Sequence, residues 1–374
     1  MINKTLLYYW LSIARIKPLR LQKLLEIYSI EELFLRIKKD KKIKELTTDS
    51  VYEKIVSFAD EKLLTNSFNL LKESGVEYIG LEDDKFPLSL KQAIVQPPAG
   101  LFYKGDITLL SNDKLKVSVV GARRCSSYGK DMAFKFSSEL TDYNIVIVSG
   151  LATGIDAYAH DAALKSNGKT IAVLGMGHNC FYPLDNIKLF NKINEVGLTI
   201  SEYPPNAKAE KYTFPERNRL IAGLSDATVI IEASSTSGSL ITANLALEQN
   251  KEIFAVPANI TSPKSQGTNN LIKRSQAKLL STTSDILEFF SERLNLNKNA
   301  TDKIGNKKAT KKLLPALDIF EQKIYNALEI EQLSFDNLKE KSGFETQELL
   351  QLLMSLEIKN VVVRLPHNEY RLVT

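Results

Sequence analysis

Short apolar runs alternate with helical patterns over residues 116–257, and this alternation predicts the main fold. Five runs are rich in β-branched residues without polar alternation, which is typical of strands buried on both faces of a parallel sheet. They cover residues 117–120, 145–148, 170–174, 228–231 and 252–256. Amphipathic stretches lie between them. Strands that alternate with helices predict a doubly wound α/β domain with a Rossmann-like parallel sheet.

Turns of small residues follow three of these predicted strands. They lie at 121–129, 149–156 and 234–239. In a parallel sheet such turns meet at the carboxyl edge, where these folds bind ligands. Backbone N–H groups in small-residue turns and at helix N-termini favour negative charge. Together with the arginine pair Arg123 and Arg124, the three turns predict a ligand with several phosphates.

Other modules are predicted on both sides of this sheet. Periodic leucines favour a small helical domain before it. The α/β domain begins with two further strands at 76–80 and 101–105, and 270–280 is predicted as a closing helix. A polar, lysine- and asparagine-rich linker then leads into three helices and a β-hairpin, which describe a winged helix. The predicted boundaries are 1–75, 76–292, 293–312 and 313–374.

The third helix of the winged-helix module is polar and acidic. Gln347, Glu348, Gln351 and Glu357 lie on or beside it. Carboxylates repel a phosphate backbone, so this module is interpreted as a protein-contact domain rather than a DNA reader.

Composition sets looser limits. A net charge of +5 and a pI near 8.8 permit a nucleic-acid partner without requiring one. Cys125 and Cys180 are too few for a disulfide framework and lack metal-ligand spacing. The chain has neither a signal-peptide pattern nor an apolar run that could span a bilayer. A cytoplasmic protein without membrane attachment, metal or cofactor is expected.

A second informative stretch lies at 213–225. Arg217 and Arg219 cannot both lie on its apolar helix face, so at least one is expected to be exposed or paired with an acid. Lys211 and Phe214 lie beside them, and aromatic rings among basic residues suit a strand of nucleotides. The alternative is structural: Phe214 packs against the helix and Arg217 pairs with Glu216 or Glu232.

Catalytic patterns are weaker. His160 follows Asp156 by four positions, so the pair could share one helix face. A general base is possible, but a hydrogen bond that braces the 150–154 turn is favoured. Zinc, nucleophile-elbow and Walker motifs are lacking in the sequence. The stretch 174–180 half-matches a dinucleotide fingerprint, with Cys180 in the place of its third glycine, and a tight turn is preferred.

Several motifs together resemble the DNA-processing protein A family. They are Gly-Ala-Arg at 121–123, Ser-Gly-Leu-Ala at 149–152, Phe-Pro-Glu-Arg-Asn-Arg at 214–219 and Ser-Gly-Ser-Leu-Ile-Thr-Ala at 237–243. The resemblance implies an extended Rossmann domain that binds single-stranded DNA in a basic pocket and forms homodimers. It also implies a role in natural transformation, where the protein protects incoming strands and helps load the RecA recombinase, with no known chemistry.

The resemblance also assigns residues. Arg123, Ser126 and the backbone at Gly150 would hold phosphate, and Phe214, Arg217 and Asn218 would line the same pocket. The expected DNA-binding residues are Arg123, Arg124, Ser126, Ser127, Gly150, Lys211, Phe214, Arg217, Asn218, Arg219, Ser237, Gly238 and Ser239. Asp156, His160 and Glu232 are expected to brace the site.

Three departures from the family pattern affect other regions. Ala258 and Gln276 replace small glycines near the expected dimer side, which leaves the dimer geometry open. The first domain has 16–19 (Ile-Lys-Pro-Leu) in the place of a glycine hairpin, so direct DNA binding is not expected of it.

An enzyme of a related fold is the alternative function. A nucleotide-hydrolysing or dinucleotide-binding Rossmann-like protein would use Asp156 or Glu232 as its acid. It would also need a Pro-Gly-Gly turn, which this sequence lacks.

Overall fold

The computed structural model describes residues 3–92, 97–294, 317–329, 332–365 and 368–372. They fall into two compact units that divide after residue 301, and each unit is described by itself. Most of the predicted linker at 293–312 therefore lies outside the described residues. Among the described residues, no helix combines the length and the apolar character needed to cross a membrane.

The first unit begins with six helices. They are α1 (Lys4–Ile13), α2 (Pro18–Leu25), α3 (Ile30–Arg36), α4 (Lys41–Leu46), α5 (Asp49–Ser57) and α6 (Glu61–Glu73). Local signals set their starts: Pro18 takes the first position of α2, and Ser29 and Glu32 form a capping box at α3. Trp10 is fully buried among them and donates a hydrogen bond to the Ile55 carbonyl, 2.8 Å away.

A sheet of nine strands follows within the described residues. They are β1 (Glu77–Gly80), β2 (Gly100–Gly105), β3 (Lys116–Val120), β4 (Val146–Ser149), β5 (Thr170–Val173), β6 (Leu198–Ser201), β7 (Ala227–Ile230), β8 (Glu252–Ala255) and β9 (Lys278–Leu279). Their order is β1-β2-β6-β5-β4-β3-β7-β8-β9. β3 to β9 pair in parallel, whereas β2 pairs antiparallel with β1 and β6. The five strands predicted between 116 and 257 are confirmed, and the pattern missed β6.

The helical region packs against the first two strands of the sheet. The ring of Tyr9 on α1 lies 5.4 Å from the ring of Tyr78 on β1 and 6.0 Å from that of Phe102 on β2, centroid to centroid. Edge-on aromatic packing of this kind adds to the burial of apolar area. The buried cluster of the helices therefore extends onto β1 and β2, past the predicted boundary at residue 75.

Helices connect the strands: α7 (Leu88–Lys91), α8 (Ser127–Thr141), α9 (Ile155–Lys165), α10 (Ile187–Val196), α11 (Thr213–Leu224), α12 (Ser239–Glu248), α13 (Gln266–Lys273) and α14 (Thr283–Phe289). The closing helix predicted over 270–280 is wrong beyond α13. Ser275 is left-handed, with φ of 55°, and ends that helix, after which the chain forms β9.

The order of the strands places a ligand site. β4 and β7 lie on opposite sides of β3, so the winding of the sheet reverses at β3. Such a reversal opens a crevice at the carboxyl ends of the strands. The three turns of small residues follow β3, β4 and β7, and all three therefore reach this crevice.

The second unit is a winged helix. Helices α15 (Ile319–Leu328), α16 (Phe335–Ser342) and α17 (Thr346–Ile358) pack with strands β10 (Leu333–Ser334), β11 (Val362–Leu365) and β12 (Glu369–Leu372) in the order β10-β12-β11. Gly343, with φ of 70°, ends α16 in the left-handed conformation that glycine favours. Two residues of the predicted hairpin turn, 366 and 367, lie outside the described residues.

A buried carboxylate joins two helices of this unit. Glu321 on α15 is 1% exposed and accepts hydrogen bonds from Lys359 Nζ at 2.6 Å and Ser355 Oγ at 2.7 Å. Burial alone raises the pKa of Glu321, but the hydrogen bonds from Lys359, Ser355 and the Asp318 backbone outweigh it and lower the pKa to about 2. The ionised form therefore stabilises the fold.

This unit should lose stability in acid. Because the folded-state pKa of Glu321 lies below its ordinary value of 4.5, its contribution is present above about pH 4.5 and is lost as the pH falls toward 2. We expect a loss of roughly 3 kcal/mol over that range. Glu321→Gln should lower stability at neutral pH and flatten the acid response. Hydrogen exchange of α15 and α17 in the full chain, corrected for intrinsic rates, measures both.

The matched control is Glu340→Gln, which neutralises an exposed carboxylate on α16. It should leave the acid response of the unit unchanged. An acid response as steep in Glu321→Gln as in the parent protein would contradict this account of Glu321.

Candidate nucleic-acid interface

A cavity of about 420 Å³ lies at the carboxyl edge where the winding reverses. It is lined by the turns after β3, β4 and β7 and by the first half of α11. Of the residues expected to bind DNA, the lining contains Arg123, Arg124, Phe214, Arg217, Asn218, Ser237, Gly238 and Ser239. An adjoining hollow of about 40 Å³ shares Arg123, Ala152 and Phe214 with it and adds Gly150 and Tyr182.

Arg217 forms the floor of the large cavity. It is 3% exposed, and its Nη1 donates to the Gly150 carbonyl at 2.6 Å and to the Val173 carbonyl. Burial lowers the pKa of Arg217 to about 10, against the opposing effect of nearby Asp156. Arg217 thus ties the turn after β4 to the end of β5. The carboxylate that compensates its charge is Asp156, not Glu216 or Glu232 as the structural alternative proposed.

Asp156 completes this floor. Its carboxylate accepts a hydrogen bond from the Gly150 N–H at 3.1 Å. Burial raises the pKa of Asp156, and the Arg217 charge and backbone hydrogen bonds act in the opposite direction. A Cβ atom at residue 150 would lie 2.5 Å from three atoms of the Arg217 guanidinium, so the close approach requires glycine.

The carboxylate of Glu232 lies at the N-terminus of α8, where a bound anion would otherwise accept hydrogen bonds. Its carboxylate accepts from the Ser126 N–H at 3.0 Å and from Ser126 Oγ at 2.8 Å. Ser126 Oγ in turn accepts from the Gly129 N–H at 3.1 Å and caps α8. This geometry corrects the prediction that Ser126 holds a phosphate, because both of its donors already face a carboxylate.

His160 is fully buried and braces a strand. Its Nδ1 lies 2.6 Å from Thr170 Oγ1 on β5, so the prediction that it braces the 150–154 turn is wrong. Burial lowers the pKa of His160 to about 3. The ring is therefore neutral near pH 7 and is inaccessible to a substrate as a general base.

Three other expected residues lie away from the cavity. Arg219 is drawn to the opposite side of α11, where it forms an ion pair with Glu202, and both side chains are 12% exposed. Ser127 and Lys211 are exposed and are absent from the lining of either hollow. The prediction that Arg219 binds DNA is corrected by this pairing, since its charge is already compensated.

The positive charge that faces the solvent lies on the rim. Arg123, Arg124 and Lys264 are exposed, and within the described residues none of the three forms an ion pair with a carboxylate. The Arg123 guanidinium lies 5.2 Å from the centre of the Phe214 ring. A guanidinium over an aromatic face is held in place while its N–H groups stay available.

Two residues of this edge were missed by sequence reasoning. Lys264 lies in the 3₁₀ segment Pro263–Ser265 after β8, and Tyr182 follows β5, is 53% exposed and has its ring centre 6.1 Å from that of Phe214. Their loops are not turns of small residues. The position of those loops after parallel strands was the signal that could have found them, because every such loop reaches the same edge.

The fold defines a Rossmann-like domain with a crevice at the carboxyl edge of its sheet and an added winged helix. The family model "DNA recombination-mediator protein A" matches residues 77–291, and the model "DprA winged helix domain" matches residues 308–368. Since the first match covers more than half of the chain, the protein belongs to this family of DNA-processing recombination mediators.

Individual proteins of known sequence support the same family assignment. The chain is 41% identical over 222 residues to DNA processing protein DprA of Bacillus subtilis, covering 59% of this chain and 74% of that protein. It is 44% identical over 208 residues to DprA of Streptococcus pneumoniae, covering 56% and 72%. The X-ray structure of the pneumococcal protein superposes with a TM-score of 0.64 at 35% identity, covering 75% of this chain and 97% of that one.

A solved structure from Helicobacter pylori is also similar. Its TM-score is 0.52 at 33% identity, and the match covers 57% of this chain and 96% of that one. That structure is described as revealing the single-stranded DNA binding mode of DNA processing protein A.

The close approach of Gly150 to Arg217 can be tested by adding a methyl group. Gly150→Ala should displace the guanidinium and reduce the free energy of unfolding by about 1–3 kcal/mol, as overpacking of a core does. Gly238→Ala is the control, because a Cβ there meets nothing within 4 Å and the backbone is helical. It should stay within about 0.5 kcal/mol of the parent. Urea unfolding measures both, and equal stability of the two variants would contradict the proposed packing.

Proposed function

We propose that this protein binds single-stranded DNA at the large cavity and protects incoming strands while helping to load the RecA recombinase in natural transformation. One observation carries the DNA-binding part. Two aromatic rings, those of Phe214 and Tyr182, lie at the carboxyl edge of the sheet beside three cations. The cations are Arg123, Arg124 and Lys264, and none of them has a carboxylate partner among the described residues.

The cations suit a phosphate backbone. A polyanion gains affinity from every phosphate that displaces condensed counterions, whatever its base sequence. The buried charges of Arg217 and Asp156 largely compensate each other, so the outward charge of the site is that of the rim. This supports sequence-independent binding.

The aromatic rings favour unpaired bases. Tyr182 is half-exposed and Phe214 is partly buried beneath Arg123. Exposed rings beside a basic groove allow successive bases to stack, which requires bases that are free of a duplex. The single-stranded DNA binding mode described for the Helicobacter pylori relative supports the same preference.

The third turn offers hydroxyl groups. Ser237 Oγ and Ser239 Oγ lie 2.8 Å apart at the start of α12, and both residues line the cavity. Glu232 and Asp156 already engage N–H groups of the first two turns. We therefore assign phosphate contacts to Ser237, Gly238 and Ser239, with Asn218 on the facing wall.

Binding without catalysis is the function that we favour for this site. The enzyme alternative relies on Asp156 or Glu232 as an acid, and both carboxylates accept backbone hydrogen bonds beneath the site. An acid committed to the protein's own N–H groups is poorly placed to act on a ligand.

The partner assignments rest on the family. We propose contact with RecA and a homodimer whose interface lies near Ala258 and Gln276, in a cytoplasmic protein. We assign DNA binding to the domain at 76–292 and protein contacts to the domain at 313–374.

Arg123 is the most direct test of the DNA site. Arg123→Ala should weaken binding to labelled single-stranded DNA equally for different base sequences. It should also reduce the slope of log affinity against log salt by about 0.7, because one phosphate contact to a single strand is lost. Fluorescence anisotropy across salt concentrations measures both quantities.

Arg293→Ala is the control for charge. Arg293 pairs with Asp226, which precedes β7 at the opposite edge of the sheet, so its loss should leave the salt slope unchanged. Equal affinity and slope in Arg123→Ala and the parent would remove Arg123 from the site. Nucleotide hydrolysis without any affinity for DNA would overturn the proposed function as a whole.

A further inference from the structure

A second cavity, of about 210 Å³, lies between the N-terminal helices and the start of α11. The connection from α1 to α2 forms one wall, with Arg15 and Lys17. Lys54 on α5 adds to it, and Tyr212 and Glu216 of the α11 region lie opposite. Both sides belong to the first compact unit.

Two cations that line this cavity have no carboxylate partner among the described residues. Glu202 is paired with Arg219, and Glu216 has Lys17 Nζ at 3.6 Å and the Tyr203 hydroxyl at 3.1 Å. Arg15 and Lys54 form no ion pair with a carboxylate within the described residues. The cavity is therefore suited to an anion.

Arg15 is held in a costly conformation. Its φ is 57°, in the left-handed region that ends α1, where glycine is the common residue. Its guanidinium lies 5.4 Å from the centre of the Tyr203 ring and 3.4 Å from the Tyr212 hydroxyl. A strained non-glycine residue that persists in this way is often part of a functional site.

The two cavities lie on opposite faces of one helix. Phe214, Arg217 and Asn218 of α11 line the first, whereas Tyr212 and Glu216 line the second. A helix is about 10 Å across, so only the first turn of α11 separates them. Tyr212, at the uncapped start of this helix, is 47% exposed.

We propose that a DNA strand seated in the large cavity continues past Tyr212 into the second cavity, where Arg15 and Lys54 contact its phosphates. This inference rests on the proposed function, since it extends the same strand. It changes the role of the N-terminal helices, from which no direct DNA binding was expected in the absence of a glycine hairpin. Arginine on a left-handed backbone would supply the contact in its place.

Varying the length of the DNA strand distinguishes binding at the first cavity from binding at both. Oligothymidylates from about 4 to about 30 nucleotides span the site sizes of single-strand-binding folds. Arg15→Gly removes the guanidinium but suits the left-handed backbone, so the fold is retained. We expect it to weaken binding of the long oligonucleotides by at least about threefold and to reduce their salt slope by about 0.7, with no effect on the shortest that bind.

Lys54→Ala should behave in the same way, from an independent wall of the cavity. Arg36→Ala removes an exposed arginine of α3 that lies outside the lining and should change nothing. Circular dichroism and thermal unfolding check that each variant folds.

The outcomes also separate this inference from the proposed function. Arg123→Ala should weaken short and long oligonucleotides alike. Full affinity and slope of Arg15→Gly and Lys54→Ala at every length, with Arg123→Ala impaired, would overturn the second contact alone. Equal weakening of short and long strands by Arg15→Gly would also overturn it, because Arg15 would then act through the first cavity. No DNA binding by the parent would remove the proposed function as well.

Discussion

The buried guanidinium of Arg217 is the group on which the carboxyl edge of the sheet depends. It bonds carbonyls at the ends of two neighbouring strands, those of Gly150 and Val173. A charge that is 3% exposed is tolerated only with compensation, and Asp156 supplies it while also accepting from the Gly150 N–H. The requirement for glycine at 150 follows from this packing. One buried pair of charges therefore fixes the turn, the strand ends and the floor of the cavity.

Charged residues at this edge divide into an inner and an outer set. Each member of the inner set, Asp156, Arg217 and Glu232, forms hydrogen bonds within the protein. Two of the three turns thus have their anion positions filled by the protein's own carboxylates. The outer set on the rim stays available, and a ligand held by exposed rim cations is recognised by its charge more than by its bases.

Sequence patterns predict the framework better than the roles of single residues. Runs of β-branched residues identify the five central parallel strands because burial on both faces demands them. The motif 214–219 is correctly associated with the site, yet its two arginines differ in a way that spacing does not reveal. Arg217 and Arg219 leave α11 in different directions, and only tertiary packing decides that one lies near Asp156 and the other pairs with Glu202. Lys264 was missed for the same reason, since its loop carries no local motif.

The anchoring of α11 has a consequence for how a strand would be held. Arg217 fixes one side of the helix to β4 and β5, and Arg219 fixes the other to Glu202 beyond β6. Phe214 and Tyr212 near its start are therefore presented from a rigid support rather than from a loop. Groups that are already in place lose little conformational entropy when a ligand binds. The start of α11 is thus a rigid surface with aromatic rings on which a flexible single strand can become ordered. Most of the conformational entropy lost on binding is then that of the DNA strand.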